Sequence, residues 1–143
     1  MDLPTAAPSI RAMADLATPM SIRVAATLSL VERAGSAGAT AEQLASETGT
    51  ATTAIRCLLD HLVTIGVFDL DMEESSHYRP TNLGAQLSED APEGLKLLLD
   101  INSAGGRAEL AFVDLLGTMI TSSGRRTDGT GVRRRAHTVD QPC

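Results

Sequence analysis

Apolar side chains recur every three or four residues over most of the first 121 positions, which is the pattern of amphipathic helices. In the first such stretch, 9–34, Pro19 interrupts the pattern. Because proline disfavours helical backbone in the residue before it, we expect a break there and a new helix capped by Thr18. Two further helices, separated by a glycine-containing interruption, are predicted over 93–101 and 107–121.

The stretch between these outer helices has the order of a winged helix-turn-helix. Thr40 and Gln43 form a capping box, in which each side chain bonds the backbone N–H of the other residue, so a helix is expected to begin at residue 41. Gly49 is expected to end that helix. A second helix is predicted from about residue 52 to Gly66.

Two short strand patterns follow, over 67–70 and 77–80, with the acidic turn 71–76 between them. The predicted fold class is therefore mainly α: a winged helix-turn-helix with a small two-stranded β-wing and extra N- and C-terminal helices. This fold serves both DNA-binding regulators and dimerisation modules of enzymes, so the fold alone does not decide the function.

The outer helices carry more apolar side chains than one buried face can hold. A helix that is apolar almost all round needs cover on more than one side. Two interpretations are open at this point. The helices could be central helices of a monomer core, or a second subunit could provide part of their cover.

The charge of the chain disfavours nucleic acid as a partner. The formal net charge is −6, and residues 1–121 contain 7 Lys and Arg against 16 Asp and Glu, which gives −9. A phosphate backbone attracts the opposite sign. The candidate recognition helix has only Arg56 and His61 as basic side chains, with Asp60 beside them, and the turn of the wing is acidic as well.

The reactive side chains do not form a recognised motif. His61, His77 and His137 are scattered, and Cys57 and Cys143 have neither a metal-binding nor a redox spacing. We therefore assign no catalytic, cofactor-binding or metal-binding residue. No apolar run reaches the length of a membrane span and the N-terminus has no signal-peptide pattern, so we expect a cytoplasmic protein with no membrane contact.

Composition divides the chain into three segments. Residues 1–8 hold two prolines and are expected to be a mobile N-terminus. Residues 9–121 are expected to form one winged-helix domain. Residues 122–143 contain 5 Arg and almost no hydrophobic periodicity, so we expect this tail to be disordered.

Four stretches together resemble the N-terminal domain of bacterial small-molecule O-methyltransferases. They are DLATPMSIRVAATLSLVE at 15–32, the winged-helix stretch ending in IGVF at 65–68, YRPTNLGAQL at 78–87, and LLLDINSAGGRAELAFVDLLGTMITSSGR at 97–125. The likeness is greatest to the anthracycline-tailoring methyltransferases and their hydroxylase relatives, including aclacinomycin 10-hydroxylase. It covers about residues 10–125.

The resemblance implies a domain that dimerises through its N-terminal and central helices and forms part of the lid over a substrate pocket. A downstream Rossmann-like domain of that family binds S-adenosylmethionine. The expected function is therefore the dimerisation domain of an S-adenosylmethionine-dependent O-methyltransferase-like enzyme that tailors an aromatic polyketide such as an anthracycline. The alternative is a winged-helix DNA-binding transcriptional regulator.

The partners that the resemblance implies are a second copy of the chain, giving a homodimer, or a separate methyltransferase catalytic domain. Apolar excess and resemblance together predict a dimer interface that includes Met13, Leu16, Met20, Val24, Leu28, Leu98, Ile101, Leu110, Val113 and Leu116.

The chain departs from the family pattern at about residue 124, and the cofactor domain is missing. We therefore expect no cofactor in this chain and no methyl transfer by the chain alone. A GC-rich back-translation of GRRTDGTGVR, with freely chosen codons, gives in another frame a Tyr-, Gly-, Arg- and Pro-rich stretch like that of the family. We hypothesise that the tail is out of frame, as in a truncated product or fragment. Gene sequencing tests this, since the idea fails if no phase continues in a family-like frame.

Overall fold

A computed structural model describes residues 9–73 and 75–115, together with Ala7, Gly117 and Met119. The predicted disordered tail, the predicted mobile N-terminus apart from Ala7, and Leu116 of the predicted interface lie outside the described residues. The elements within them are α1 (Ile10–Met13), α2 (Ala17–Thr27), α3 (Leu30–Ala34), β1 (Ala39–Thr40), α4 (Ala41–Thr48), α5 (Thr52–Thr64), β2 (Phe68–Asp71), β3 (His77–Pro80), the 3-10 helix η1 (Gly84–Leu87), α6 (Leu95–Leu99), α7 (Ala104–Leu110) and the 3-10 helix η2 (Ala111–Asp114).

The break in the first helical region lies earlier than predicted. α2 begins at Ala17, so Pro19 is its third residue, where a backbone N–H would have no partner inside the helix. The Asp15 carboxylate caps this helix, since it accepts hydrogen bonds from the backbone N–H groups of Ala17 (3.1 Å) and Thr18 (3.2 Å). The prediction of Thr18 as the cap was therefore wrong. The bonds from Thr18 and Ala17 also hold the pKa of Asp15 below its ordinary value.

The capping box at the start of α4 is confirmed. Thr40 Oγ1 accepts from the backbone N–H of Gln43 (3.2 Å), and Gln43 Oε1 accepts from the backbone N–H of Thr40 (2.9 Å). α4 ends at Gly49, whose φ of 68° is the left-handed conformation that glycine adopts without steric cost. This helix was predictable because all of these contacts are local.

The wing belongs to a three-stranded antiparallel sheet with the order β1-β3-β2, where the sequence predicted two strands. The additional strand, β1, pairs Ala39 with Tyr78 and Thr40 with His77. A strand of two residues is too short to show an alternation of apolar and polar positions, so the sequence pattern could not reveal it.

The core lies between the helices α3 to α5 and one face of this sheet. Its side chains are almost entirely aliphatic, as the scarcity of aromatic residues requires. The largest fully buried ones are Phe68, Leu30, Leu44, Ile55, Leu59 and Leu62. None of the described helices combines the length and the apolar character that crossing a bilayer requires.

The last helical region begins before its predicted start at residue 107. α7 starts at Ala104, where Ser103 Oγ accepts a hydrogen bond from the backbone N–H of Gly106 (2.8 Å). Gly106 lies so close to Asp100 that an added Cβ would be 2.0 Å from the Asp100 carbonyl oxygen. The glycines at this point therefore allow two segments to approach each other inside a helix, and they do not interrupt it.

Candidate dimerisation surface

The C-terminal helices hold α2 along one side. Thr27 Oγ1 accepts a hydrogen bond from the backbone N–H of Ile101 (2.8 Å), and Arg23 forms an ion pair with Glu109. The chain runs from Ile101 to Glu109 while the partner positions on α2 run back from Thr27 to Arg23. The segment from Ile101 to Glu109, which contains most of α7, therefore runs antiparallel to α2.

The Arg23–Glu109 ion pair is the main polar contact between these helices. The Arg23 side chain is only 15% exposed, whereas that of Glu109 is 38% exposed. Arg23 Nη1 is buried without a hydrogen-bond partner among the described residues. A buried guanidinium is costly when its counter-charge is lost, so the position of Arg23 depends on Glu109.

Large apolar side chains are exposed on both segments that flank α2. On the N-terminal side, Ile10, Met13 and Leu16 are 80%, 74% and 60% exposed. On the C-terminal side, the exposed set consists of Leu97, Leu98, Phe112, Val113, Leu115 and Met119. We call these two groups together the apolar surface. Each group is a set of exposed apolar residues close in sequence, and large exposed apolar patches mark association sites in soluble proteins.

The predicted interface residues are divided between exposed and half-buried positions. The exposed ones are Met13, Leu16, Leu98 and Val113, and the half-buried ones are Met20, Val24, Leu28, Ile101 and Leu110. Leu28 already packs against the core of its own chain. That these residues contact a second subunit stays a prediction.

Sequence reasoning did not assign three of the most exposed apolar residues, Ile10, Leu97 and Phe112, to the interface. A signal was present for Leu97, which begins a run of three leucines. Successive helical residues point in different directions, so three in a row cannot all face one core. For Ile10 the helical spacing indicated a side that needs cover and gave no means of separating core from interface. Phe112 was not among the apolar positions assigned to its predicted helix.

An apolar groove opens beside the N-terminal half of α2, which we call the α2 groove. It has a volume of about 400 Å³, and Thr18, Arg23 and Gln86 are its polar lining residues. Its apolar lining comes chiefly from α2, η1 and α6, with Pro19, Ile22, Leu83, Leu87, Leu95 and Leu99.

The basic side chains of the winged helix make contacts within the domain. Arg56 forms an ion pair with Glu42, and Arg79 forms one with Asp71 (3.3 Å). His61 Nε2 lies 3.1 Å from Thr18 Oγ1, so this histidine faces α2. In the part of the chain that the structure describes, no cluster of three or more His, Cys, Asp or Glu side chains could hold a metal ion.

Exposed apolar side chains on the helices that accompany a winged helix are typical of a dimerisation module. Residues 10–90 match the family described as the O-methyltransferase dimerisation domain, and the chain belongs to this family.

Two relatives and one solved structure show the extent of the match. The chain is 43% identical to 2,7-dihydroxy-5-methyl-1-naphthoate 7-O-methyltransferase of Streptomyces carzinostaticus, over 74% of this chain and 31% of the relative. It is 37% identical to aclacinomycin 10-hydroxylase RdmB of Streptomyces purpurascens, over 78% of this chain and 30% of the relative. An O-methyltransferase from neocarzinostatin biosynthesis, solved with S-adenosylmethionine and 2-hydroxy-5-methyl naphthoic acid, superposes with a TM-score of 0.74 at 41% identity, covering 81% of this chain and 35% of that one. The chain thus spans about a third of the length of the relatives it matches.

The described residues do not fit S-adenosylmethionine. A Rossmann-like site binds the cofactor through a glycine-rich turn between a strand and a helix and an acidic side chain on the ribose. The lining of the α2 groove contains no Asp or Glu. No described strand is followed by a glycine-rich turn of that kind.

Proposed function

We propose that this domain joins two copies of an S-adenosylmethionine-dependent O-methyltransferase-like enzyme that tailors an aromatic polyketide such as an anthracycline. The observation that carries the proposal is the apolar surface on α1 and on the segment from α6 to η2. The relatives support the aromatic substrate class, because one is described as a naphthoate O-methyltransferase and another as an aclacinomycin hydroxylase.

The physical reason for association is the burial of this surface. Removing apolar area from water contributes about 25 cal/mol per Å². Permanent homodimer interfaces are more apolar than the rest of a protein surface, and a two-fold axis repeats each contact, so one patch on each copy is sufficient. The apolar surface has this composition.

The double substitution Met13→Asp, Val113→Asp tests the proposal. We expect the wild-type chain to have twice the mass of the 15.0 kDa polypeptide in light scattering, and the double variant to have the single mass, because charge on both segments opposes their burial. Both side chains are exposed, so the fold itself does not depend on them.

Met72→Asp is the matched control. Met72 lies on the wing and is 74% exposed, the same fraction as Met13, but it is outside the apolar surface. This variant should stay dimeric. A monomeric wild-type chain, or loss of the dimer in the Met72 variant alone, would contradict the proposal.

A further inference from the structure

We propose that two ion pairs, Arg23 with Glu109 and Lys96 with Glu32, control dimerisation by holding the C-terminal unit in place. The C-terminal unit here means α6, α7 and η2, residues 95–114. Neither pair belongs to the apolar surface. The inference rests on the proposed dimer and deepens it, because it names residues outside the contact that position one half of that surface.

The C-terminal unit buries little of itself on its own chain. Among its described residues only Gly106 is buried. Leu97, Phe112 and Val113 are 75%, 72% and 65% exposed, whereas Leu99 packs against the core. Burial of apolar area is what normally fixes a helix on a domain. Because α7 and η2 have so little of it, polar contacts must carry much of their attachment.

The two ion pairs lie at the two ends of the unit. Near its start, Lys96 Nζ is 2.9 Å from Glu32 Oε1 of α3. In α7, Glu109 pairs with Arg23 of α2. The Lys96 and Arg23 side chains are only 14% and 15% exposed. A cation so far removed from water is costly without its carboxylate, so each pair opposes displacement of the unit.

The two helices of the unit are joined closely enough to move together. Ser103 Oγ accepts a hydrogen bond from the backbone N–H of Gly106 (2.8 Å) and donates one to the Asp100 carbonyl oxygen (2.8 Å). Gly106 itself lies directly against that carbonyl group. Loss of either ion pair therefore affects the position of α6 and α7 together.

The position of the unit matters for association because the apolar surface has two parts. One part is on α1 and the other is on the C-terminal unit, so a second copy contacts both parts only while the unit is docked on α2 and α3. A partner that binds one of two conformations shifts the equilibrium toward it. Docking of the unit and dimerisation therefore strengthen each other.

The two-fold symmetry of a homodimer amplifies this link. Both copies must be docked, so the apparent dissociation constant of the dimer varies with the inverse square of the docked fraction. A fall of that fraction to about a third would raise the dissociation constant about ninefold.

The variant Glu109→Gln tests the proposal, since it removes one charge and leaves the apolar surface unchanged. We expect sedimentation equilibrium to give a dissociation constant several-fold above that of the wild-type dimer. Glu109→Asp keeps the charge and should stay close to the wild type. Circular dichroism checks that each variant is folded.

Glu32→Gln tests the second pair, so the proposal does not depend on one variant alone. We expect a smaller rise of the dissociation constant than for Glu109→Gln, because Glu89 Oε2 also lies 3.7 Å from Lys96 Nζ. Glu47→Gln is the matched control. It removes the carboxylate of an ion pair whose side chains are 49% and 37% exposed, and it should leave the dissociation constant unchanged.

Hydrogen–deuterium exchange gives a readout that a general loss of stability would not reproduce. The backbone N–H of Ile101 donates to Thr27 Oγ1 (2.8 Å), so its exchange reports docking of the unit on α2. At concentrations below the dissociation constant, we expect the peptide that contains Ile101 to exchange several-fold faster in Glu109→Gln than in the wild type, with α4 unchanged. Raising the concentration should restore its protection.

The outcomes separate this proposal from the proposed dimer. If the wild-type chain is monomeric, the dimer fails and the control by the ion pairs fails with it. If the wild type is dimeric and the two glutamine variants have its dissociation constant, the control is overturned while the dimer stands. Faster exchange over the whole chain would also overturn it, because the ion pairs would then support general stability only.

Discussion

Glu109 is the residue of α7 that forms an ion pair with Arg23 of α2. The variant Glu109→Gln removes the charge that faces Arg23, a side chain that is 15% exposed with one nitrogen already unpaired. We expect the free energy of unfolding to fall by about 1–3 kcal/mol, the cost of a buried charged group that loses its partner. Urea denaturation measures this change.

Glu47→Gln is the control for that measurement. The ion pair of Glu47 with Arg33 has a distance of 3.4 Å, and its two side chains are 49% and 37% exposed. Exposed pairs contribute less than about 1 kcal/mol. Equal losses in the two variants would contradict the role given to burial of Arg23.

Tyr78 gives a prediction that absorbance can follow, because it is the one tyrosine of the sequence. Burial of its ring and the hydrogen bond that its hydroxyl donates to Asp60 Oδ1 (2.7 Å) raise its pKa to about 12, from an ordinary 10.0. The fold favours the neutral phenol, so this contribution to stability is complete below pH 10.0 and is lost as the pH rises toward 12.

At about pH 11 we therefore expect the folded chain to keep the phenol while the denatured chain shows phenolate absorbance. Asp60→Asn should lower the pKa of Tyr78, because it removes the negative charge beside the hydroxyl. An unchanged titration in this variant would show that Asp60 does not contribute to the shift.

At the scale of the elements, the junction of α6 and α7 depends on one close approach. Gly106→Ala would place a methyl group 2.0 Å from the Asp100 carbonyl oxygen, which is backbone and cannot rotate away. We expect a loss of about 1–3 kcal/mol in the free energy of unfolding, typical of overpacking. Thermal or urea denaturation measures it.

Gly105→Ala is the neighbouring control. Its Cβ would first meet Leu98 Cδ1 at 3.3 Å, the flexible end of a side chain. Alanine is also a better helix former than glycine by about 1 kcal/mol, so this variant should be neutral or more stable. Similar destabilisation at both positions would contradict the close approach at Gly106.

The start of α2 is determined by a residue that lies outside the helix, Asp15. Asp15 precedes the helix by two positions, yet its carboxylate binds two of the first backbone N–H groups. The same contact separates α1 from α2. The N-terminal region therefore consists of a fixed helix, α2, and the short helix α1, whose apolar side chains are exposed in the part of the chain that the structure describes.

At the scale of the whole molecule, the arginines of the winged helix are paired with carboxylates of the same domain. Its candidate recognition helix has Arg56 paired with Glu42, and its wing has Arg79 paired with Asp71. Neither arginine is available for a phosphate without the loss of an ion pair. The expectation that nucleic acid is not a specific partner follows from these pairs and from the net charge of −6.

A gel-shift series against salt tests that expectation. We expect no preference for any duplex sequence and no change in the variant Arg56→Gln, because a DNA reader loses affinity when a groove-facing arginine is removed. Tight binding to one sequence with a steep salt dependence would support the regulator instead.

Much of the fold could be predicted from the sequence, because the signals that define it are local. The capping box of Thr40 and Gln43 and the glycine that ends α4 act within a few residues, and the structure confirms them. Apolar periodicity located α5, and the acidic turn 71–76 indicated the returning strand at 77–80. The resemblance to the methyltransferase family rests on four longer stretches, among them 15–32 and 97–125, and the family match confirms it.

Contacts between residues that are far apart in the sequence became visible only in the tertiary structure. The pairing of β1 with β3, the approach of Gly106 to Asp100 and the ion pair between Arg23 and Glu109 join residues that no local pattern connects. It also divided the apolar residues into core and surface. Helical spacing in the sequence shows which face of a helix is apolar. Only the packed chain shows which of these faces are buried against its other elements. The apolar side chains that stay exposed form the apolar surface.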